Sequence, residues 1–558
     1  MGGVVVSAMS AVNYHKLVEN VHITKVRSIG PQSVEVGSGS APPDAAATSG
    51  VSSAPPEGRI RRSPSSADLT VQQLYDTFAE TTLPLIIKQT CIDFSSRNAM
   101  AIRGIDKIAK EEIEVDGRKK EWEFIYLKPT TYLTYSGMWE RMVAFGNGLA
   151  SIGLRPGDRV GLYEETRYEW LVSCYGIWTQ GMTGVTVYAN LGEDALVYAI
   201  KEAELHVMIC NGKAVKTLIA TCARNKVTCP KLITIDDIPA GVDIGATTVH
   251  KWTDVTALGA AKPEPKVLPS DPKTLALIMY TSGTTGDPKG VMISHGNVLA
   301  SVRGLGRRAA EILEGVEDEV YVGYLPLAHI LEFAAENIML TRGAMIGYGN
   351  PRTLTDTSAR PHGDLTEFKP QLFTGVPRIW DTIKKAVEGK LPPDGLKRRV
   401  FDRAFGERRD ALKKGYETPY WNEKVFAKPR SLLGGRVRHI ISGGAPLSAQ
   451  TQEFLTVVFG CSVGQGYGLT ETCSVGTVQR FYDLQTENVG GLLSVVELKL
   501  RDVDDWKHTD PQPRGEILLR GPSVAQGYYK QPEATAAAFL KEGWFATGDV
   551  GQIAPDGT

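Results

Sequence analysis

The sequence predicts an α/β protein: two doubly wound α/β subdomains followed by a small β-barrel-like subdomain. Two observations carry this. Short apolar runs alternate with helical stretches from Arg159 to Asp236, and a second series runs from Gln371 to Ser442. Alternation of that kind builds a parallel sheet covered on both faces. From about Val489 the pattern changes to short strands with turns, VVELKLRDV and GEILLRG, as a small barrel or mixed sheet requires. The length, 558 residues, corresponds to roughly three or four domains' worth of chain.

Taken in order, residues 1–66 are expected to be a disordered, low-complexity region. Ser, Pro, Ala and Gly dominate from Ser28 onward and cannot bury enough apolar surface to offset ordering. The RIRRS run before Pro64 reads as a solvated charge run of that tail, with a phosphorylation or targeting element as the alternative. The paired α/β subdomains are expected over 67–488 and the β-rich subdomain over 489–558. Leu69, Leu74 and Phe78 have helical spacing, with Ser66 or Asp68 as a cap. Residues 103–129 alternate charged and apolar around an Asp-Gly turn at 116–117 and predict a surface hairpin. Trp139–Ile152 predicts an amphipathic helix closed by Gly153. Strands are expected at Arg159–Tyr163, Gly184–Tyr188, His206–Asn211 and Lys231–Asp236, with helices from Glu169 and over Glu193–Ala203. The TLALIM run, Thr274–Met279, predicts a buried strand. Further strands are expected at Gln371–Val376 and Val437–Ser442.

A net charge of −1 supplies no global field for nucleic acid, so no nucleic-acid partner is expected. Seven cysteines without a CxxC pair suit free thiols in a reducing compartment. No 18-residue apolar run is present, so no spanning helix is expected. The start, MGGVVVS, has Val6 where a myristoylation signal needs Ser or Thr, and it lacks the early positive charge of a secretory signal. The expected location is intracellular, in the cytosol or on the cytoplasmic face of a membrane, not secreted. Residues 384–430 carry 14 Lys/Arg against seven Asp/Glu, a local excess of 14 − 7 = +7. Leu396, Val400, Phe401, Phe405 and Leu412 fall roughly on one helical face. Two readings stay open: a basic membrane-surface contact, and a helical hairpin packed on its own domain with a solvated outer face.

The chemistry concentrates first in Tyr280–Gly290, YTSGTTGDPKG. Thr281, Ser282, Thr284 and Thr285 supply hydroxyls, Gly283, Gly286 and Gly290 let backbone amides approach, and Lys289 adds a point charge. Such a loop can fold around a polyphosphate. It is not a Walker A loop, because Gly290 stands where Ser or Thr must follow the lysine. Four more clusters each follow a predicted strand or turn: YLPLAHILEF (324–333), SGGAP (442–446), QGYGLTET (465–472) and WFATGDVG (544–551).

In order and spacing these five motifs resemble the core motifs of the adenylate-forming superfamily, over a stretch from about residue 130 to the end. YEETRYEW (163–170), LGEDALVYAI (191–200), GVPRIWDTI (375–383) and ISGGAPLS (441–448) look, within it, like eukaryotic long-chain fatty-acyl-CoA synthetases. The resemblance implies an adenylate-forming N-terminal domain that uses ATP, Mg2+ and coenzyme A to activate a fatty acid, releasing AMP and pyrophosphate. Two other readings are kept: an acyl-AMP ligase that passes the acyl group to a carrier protein, and a nucleotide- or acyl-binding protein without turnover.

The chemistry fits. A carboxylate must approach the α-phosphate of a polyanion, so the site must neutralise charge, align attack and stabilise leaving pyrophosphate. Lys289 and the loop residues Thr281, Ser282, Gly283, Thr284, Thr285 and Gly286 suit the β- and γ-phosphates. Glu471 suits Mg2+ as a hard oxygen ligand, and Thr470 can donate to the α-phosphate. Tyr467, flanked by Gln465, Gly466 and Gly468, offers a face to adenine. Gly443, Gly444 and Ala445 offer backbone groups to the base edge, and Asp549 two acceptors to the ribose. Taken singly, Glu471 could be a helix-start carboxylate, Asp549 a turn residue and Tyr467 a core residue. Lys289, His329, Thr470 and Glu471 form the expected catalytic group. His329 is placed by the resemblance beside the substrate carboxylate, with a satisfied core histidine as the alternative.

The apolar stretch Ile330–Leu340 predicts a buried helix. His329, Phe333, Ala334, Ala335, Gly375 and Val376 are the expected acyl-pocket positions, with plain core packing the alternative for each. The family continues through a hinge into a small C-terminal lid that carries a ribose-contacting arginine, a catalytic lysine and part of the CoA site. This sequence stops after WFATGDVGQIAPDGT, so that lid is expected to be absent from it.

Overall fold

The computed structural model describes residues 31–36, 55–115, 118–188, 192–262, 264–265, 267–281, 288–313, 315–481 and 483–558. Two large sheets organise it. The first has seven strands in the order Val249–Lys251, Lys231–Thr234, Val207–Cys210, Arg159–Tyr163, Thr183–Thr186, Leu275–Thr281, Lys289–Ser294. All pair in parallel except the last, which runs back antiparallel to Leu275–Thr281. The expected strands of this half thus form: Arg159–Tyr163 has the expected bounds, the strand expected at Thr274–Met279 runs on to Thr281, and the other three are shorter by a residue or two.

The second sheet has nine strands, in the order Gly491–Leu492, Thr477–Val478, Ser462–Tyr467, His439–Ser442, Leu372–Gly375, Val320–Gly323, Met345–Tyr348, Asn98–Ile102, Thr131–Thr134. Asn98–Ile102 comes from far upstream yet pairs in parallel with Met345–Tyr348. No local pattern announces that insertion.

Alternation along the strands divides the core into layers. Ile209, Ile233, Leu277 and Met279 face one cluster, while Met208, Cys210, Leu232 and Ile278 face another. The first cluster also takes Tyr321, Ile346 and Leu372 from the second sheet. A shared central layer therefore lies between the sheets, filled by helices Tyr135–Ser151, Tyr168–Trp178, His295–Leu313 and Ile330–Thr341. Tyr135–Ser151 begins four residues before the expected helix, because Thr134 caps it through Gly137 N–H. Helix Val71–Phe78 is capped by Thr70 in a reciprocal box with Gln73, not by Ser66 or Asp68. The surface hairpin forms from Ile105–Val115 and Arg118–Leu127.

The β-rich subdomain is a five-stranded antiparallel sheet in the order Val34–Glu35, Arg61–Arg62, Glu497–Arg501, Arg514–Arg520, Phe545–Gln552. Two of its strands come from the region assigned to a disordered tail, so that expectation is corrected for 31–36 and 55–66; residues 1–30 and 37–54 lie outside the described residues. The reason is electrostatic. Glu497 is fully buried and receives Arg62 on one carboxylate oxygen and Arg520 on the other. Composition counts Arg62 as a solvated charge, whereas its partner lies 435 residues away.

The basic 384–430 segment packs on its own domain. Helix Leu396–Lys413 turns Val400, Phe401, Phe405 and Leu412 into the core cluster that holds Phe454, Phe426 and Trp421. Arg398 and Arg403 pair with Asp402 and Glu407 one turn along. Arg408 is buried against Glu417 and the Phe426 ring. The hairpin reading therefore describes this segment.

Candidate functional site

Of the expected site residues, Thr281, Lys289, His329, Ala334, Ala335, Gly443, Gly444, Gly466, Tyr467, Gly468, Thr470, Glu471 and Asp549 line one cavity of about 800 Å³. Strands Leu372–Gly375 and His439–Ser442 deliver their carboxyl ends to it, followed by Gly443 and Gly444. Gly444 sits at φ +79°, a conformation that a side chain would strain. Strand Ser462–Tyr467 delivers Gly466, Tyr467 and Gly468, and the turn after it Thr470 and Glu471. The edge strand Phe545–Gln552 supplies Thr547, Gly548 and Asp549 from the β-rich sheet. Sites at the carboxyl ends of parallel strands are the rule in open α/β sheets.

The phosphate loop joins two antiparallel neighbours, and Thr281 pairs with Lys289 across its base. Both line the cavity. Ser282, Gly283, Thr284, Thr285 and Gly286 lie outside the described residues. The segment after the loop, KGVMIS, is a strand that the sequence reading did not separate. Residues 525–529 run beside it: Met292 N–H donates to Gly527 C=O, Gln526 N–H to Met292 C=O and Tyr529 N–H to Gly290 C=O.

That strap carries Tyr528, which the sequence reading missed. Its hydroxyl donates to Glu471 Oε1 at 2.9 Å. Lys289 Nζ stands 4.9 Å from its ring centre, within cation–π range. Tyr528 thus ties the loop lysine to the carboxylate expected to hold metal. The only local signal is an aromatic pair after a glycine, GYYK, outside the motifs singled out.

Tyr467 donates its hydroxyl to Asp549 Oδ2 at 2.8 Å. Burial, with the Asp549 carboxylate beside it, pushes that phenol well above its ordinary range. Asp549 is positioned in turn: Glu516 accepts from Gly548 N–H and is clamped by Arg501. Arg501 and Glu516 also line the cavity and were missed.

Gln465 does not present its side chain to the cavity shared by the others. It accepts from Leu447 N–H and donates to Gln452, which also donates to Gln479. This buried glutamine set braces the turn after Gly443 and Gly444. Gln465 and Ala445 line an adjoining cavity that shares Gly444, Gly466, Tyr467, Gly468 and Asp549.

His329 is the N-cap of Ile330–Thr341, where its Nδ1 accepts from Leu331 N–H at 3.3 Å. The ring lines the cavity with part of its surface open to solvent, and desolvation by the neighbouring protein lowers its pKa below the usual histidine value. A neutral ring at the cavity mouth can orient a carboxylate by donating one hydrogen bond.

From His329 the cavity continues as an apolar arm lined by Ile330, Leu331, Ala334, Ala335, Ile338, Leu372, Thr374 and Ile441. Ala334 and Ala335 are on its wall as expected. Phe333 is not: it is fully buried between Trp170 and Trp178 in the central core. Gly375 and Val376 are also off the wall, since Gly375 packs under the Trp380 ring and Val376 caps Pro377–Glu388. The helix face turned to the arm is one step round from the one that the apolar pattern suggested.

The family model described as AMP-binding enzyme matches residues 112–529. Long chain acyl-CoA synthetase 8 of Arabidopsis thaliana is 36% identical over 503 residues, covering 85% of this chain and 68% of that relative. Long-chain-fatty-acid–CoA ligase 1 of Schizosaccharomyces pombe is 35% identical over 517 residues, covering 87% and 73%. Among solved structures, the A domain of carboxylic acid reductase from Segniliparus rugosus, in complex with AMP and a co-purified carboxylic acid, superimposes with a TM-score of 0.65 at 23% identity, covering 87% of this chain and 75% of that one. A long-chain-fatty-acid-CoA ligase from Archaeoglobus fulgidus gives 0.63 at 18% identity, covering 86% and 83%. At these identities the structural likeness shows the fold alone.

Proposed function

The chain belongs to the AMP-binding enzymes, within them to the long-chain acyl-CoA synthetases, and from that membership we propose that it activates long-chain fatty acids to acyl-CoA. The fatty-acid carboxylate attacks the α-phosphorus of ATP and pyrophosphate leaves; the CoA thiol then attacks the acyl carbonyl of the mixed anhydride and AMP leaves. The observation that carries the reading is the single cavity, which joins a polar end holding Lys289, Thr470, Glu471, Tyr467 and Asp549 to an apolar arm starting at His329.

In this reading Lys289 neutralises the leaving phosphates, Thr470 donates to the α-phosphate and His329 orients the carboxylate. Tyr467 offers its face to adenine, beside the backbone at Gly443 and Gly444, while Asp549 accepts from the ribose hydroxyls. Among the described residues no three His, Cys, Asp or Glu side chains are grouped to hold a metal. One carboxylate nevertheless fits Mg2+, which keeps several waters and takes its other ligands from substrate phosphate. Glu471 would hold it, and the ion would screen phosphate charge. Gln465 acts as a positioning residue for the turn at 443–447.

The named relatives favour a CoA ligase over carrier-protein transfer or a non-catalytic binder. Seven free thiols support a reducing compartment. Among the described residues no helix is long and apolar enough to cross a membrane. Contact of 384–430 with anionic lipid would be mainly electrostatic, because Val400, Phe401, Phe405 and Leu412 are spent internally and Leu396 alone of that face is exposed; liposome sedimentation that persists at high salt would contradict this. The deciding experiment for the activity is fatty-acid-dependent pyrophosphate release with ATP and Mg2+ in the full-length protein, wild type against Glu471→Ala. Equal rates in the two would reject the assignment of Glu471, and no release from either would reject the activity.

A further inference from the structure

The wall of the apolar arm carries a cation, Arg308. Helix His295–Leu313 turns Leu305, Arg308 and Ala309 to the arm, one face at i, i+3 and i+4. Arg308 is 7% exposed, and its ion pair is a long one, 3.5 Å to Glu311, whose side chain is 48% exposed. Burial lowers the pKa of this guanidinium, and Arg480 nearby adds to the effect. The charge of Arg308 also reaches His439, a fully buried ring that burial holds neutral. Arg308, Arg480 and His439 thus lie within electrostatic reach of one another, and Glu311 beside Arg308 is half-exposed.

The sheet register fixes the depth. Thr374 pairs with Ile441, and Leu372 with His439. Gly443 at the polar end and the His439 level are four residues apart, roughly 13 Å of strand. The helix across the arm agrees: Ile330 to Ile338 is eight residues, about 12 Å of rise. An acyl chain whose carboxylate lies at His329 therefore points its far end at Arg308.

A buried guanidinium is costly unless acceptors satisfy its donors, and Glu311, which does not line the cavity, meets one of them at 3.5 Å. We propose that Arg308 reads the distal end of the acyl chain and that the arm favours fatty acids carrying an oxygen acceptor there, an ω-hydroxyl or ω-carboxylate, over plain methyl-ended chains of equal length. The proposal rests on the fatty-acid reading of this cavity.

The test compares plain, ω-hydroxy and ω-carboxy acids in a length series, using wild type, Arg308→Met and Arg308→Lys of the full-length protein. Calorimetric binding and kcat/KM for adenylate formation are both read. The wild type is expected to prefer the oxygenated acid at the matching length by on the order of tenfold, the return on one hydrogen bond to a charged group. Arg308→Met should erase that ratio while still binding plain acids, and Arg308→Lys should keep part of it. A wild type that prefers plain acids at every length, or an Arg308→Met ratio equal to the wild type's, overturns the proposal. Binding with the expected ratio but without adenylate would instead reject the ligase reading and leave this one standing.

Discussion

Removing one oxygen atom tests the core of the site. Tyr528→Phe deletes the hydroxyl that donates to Glu471 Oε1 at 2.9 Å but keeps the ring 4.9 Å from Lys289 Nζ. Tyr528 is only 5% exposed, so water cannot easily replace the lost donor. A hydrogen bond to a charged group contributes about 1.5–3 kcal/mol, and each 1.4 kcal/mol is about tenfold. If Tyr528 holds Glu471 in its working orientation, kcat/KM for ATP should fall about 10- to 100-fold, and more Mg2+ should be needed to reach half-maximal rate. The fatty-acid KM should stay within about twofold, because the change is at the polar end of the cavity. Tyr528→Leu also removes the ring under Lys289 and should cost more. The assay is pyrophosphate release across a magnesium titration, with a melting curve for each variant to exclude unfolding. Wild-type rates and an unchanged magnesium requirement in Tyr528→Phe would refute the coupling of Tyr528 to Glu471.

Three further outcomes are expected. Gln465→Leu strands Leu447 N–H and Gln452 in a buried setting, so it should lower unfolding free energy by roughly 2–5 kcal/mol in a urea titration and weaken nucleotide binding; an unchanged midpoint would contradict the bracing role. Glu497→Ala leaves Arg62 and Arg520 buried without their shared partner and should cost about 3–5 kcal/mol, visible as faster proteolysis near residues 55–66. The third concerns pH: burial holds Glu332 up to about 8 and Glu336 well above its ordinary value. The folded state keeps these protons where the unfolded chain has lost them, so stability is full below about pH 4.5 and falls as pH rises through about 8. Glu336→Gln should flatten that slope in melting temperatures taken from pH 5 to 9, and an identical slope would rule out this source.

Much of this protein was legible in its sequence because its signals are local. Each parallel strand is a short apolar run set between helical stretches, and burial on both faces is what makes such a run continuous. The YTSGTTGDPKG, SGGAP and QGYGLTET clusters lie at strand ends, where chemistry on an α/β sheet is placed, and with WFATGDVG they carry the family resemblance, so the sequence could nominate Lys289, Tyr467, Glu471 and Asp549 without knowing their distances. Contacts between distant segments were beyond its reach. Arg62 looked like a tail charge until Glu497, 435 residues on, drew it into a sheet. Asn98–Ile102 became a central strand because its partner was Met345–Tyr348. Phe333 fell on the core side of its helix and Ala334 on the cavity side, a difference of about 100° that a helix buried on most sides does not encode. Tyr528 and Arg308 belong to no motif, and what marks them is what faces them: a carboxylate and a lysine in one case, an apolar cavity wall in the other. Composition and periodicity determine what each segment can bury; only the folded chain determines which charge, ring or carboxylate it meets there.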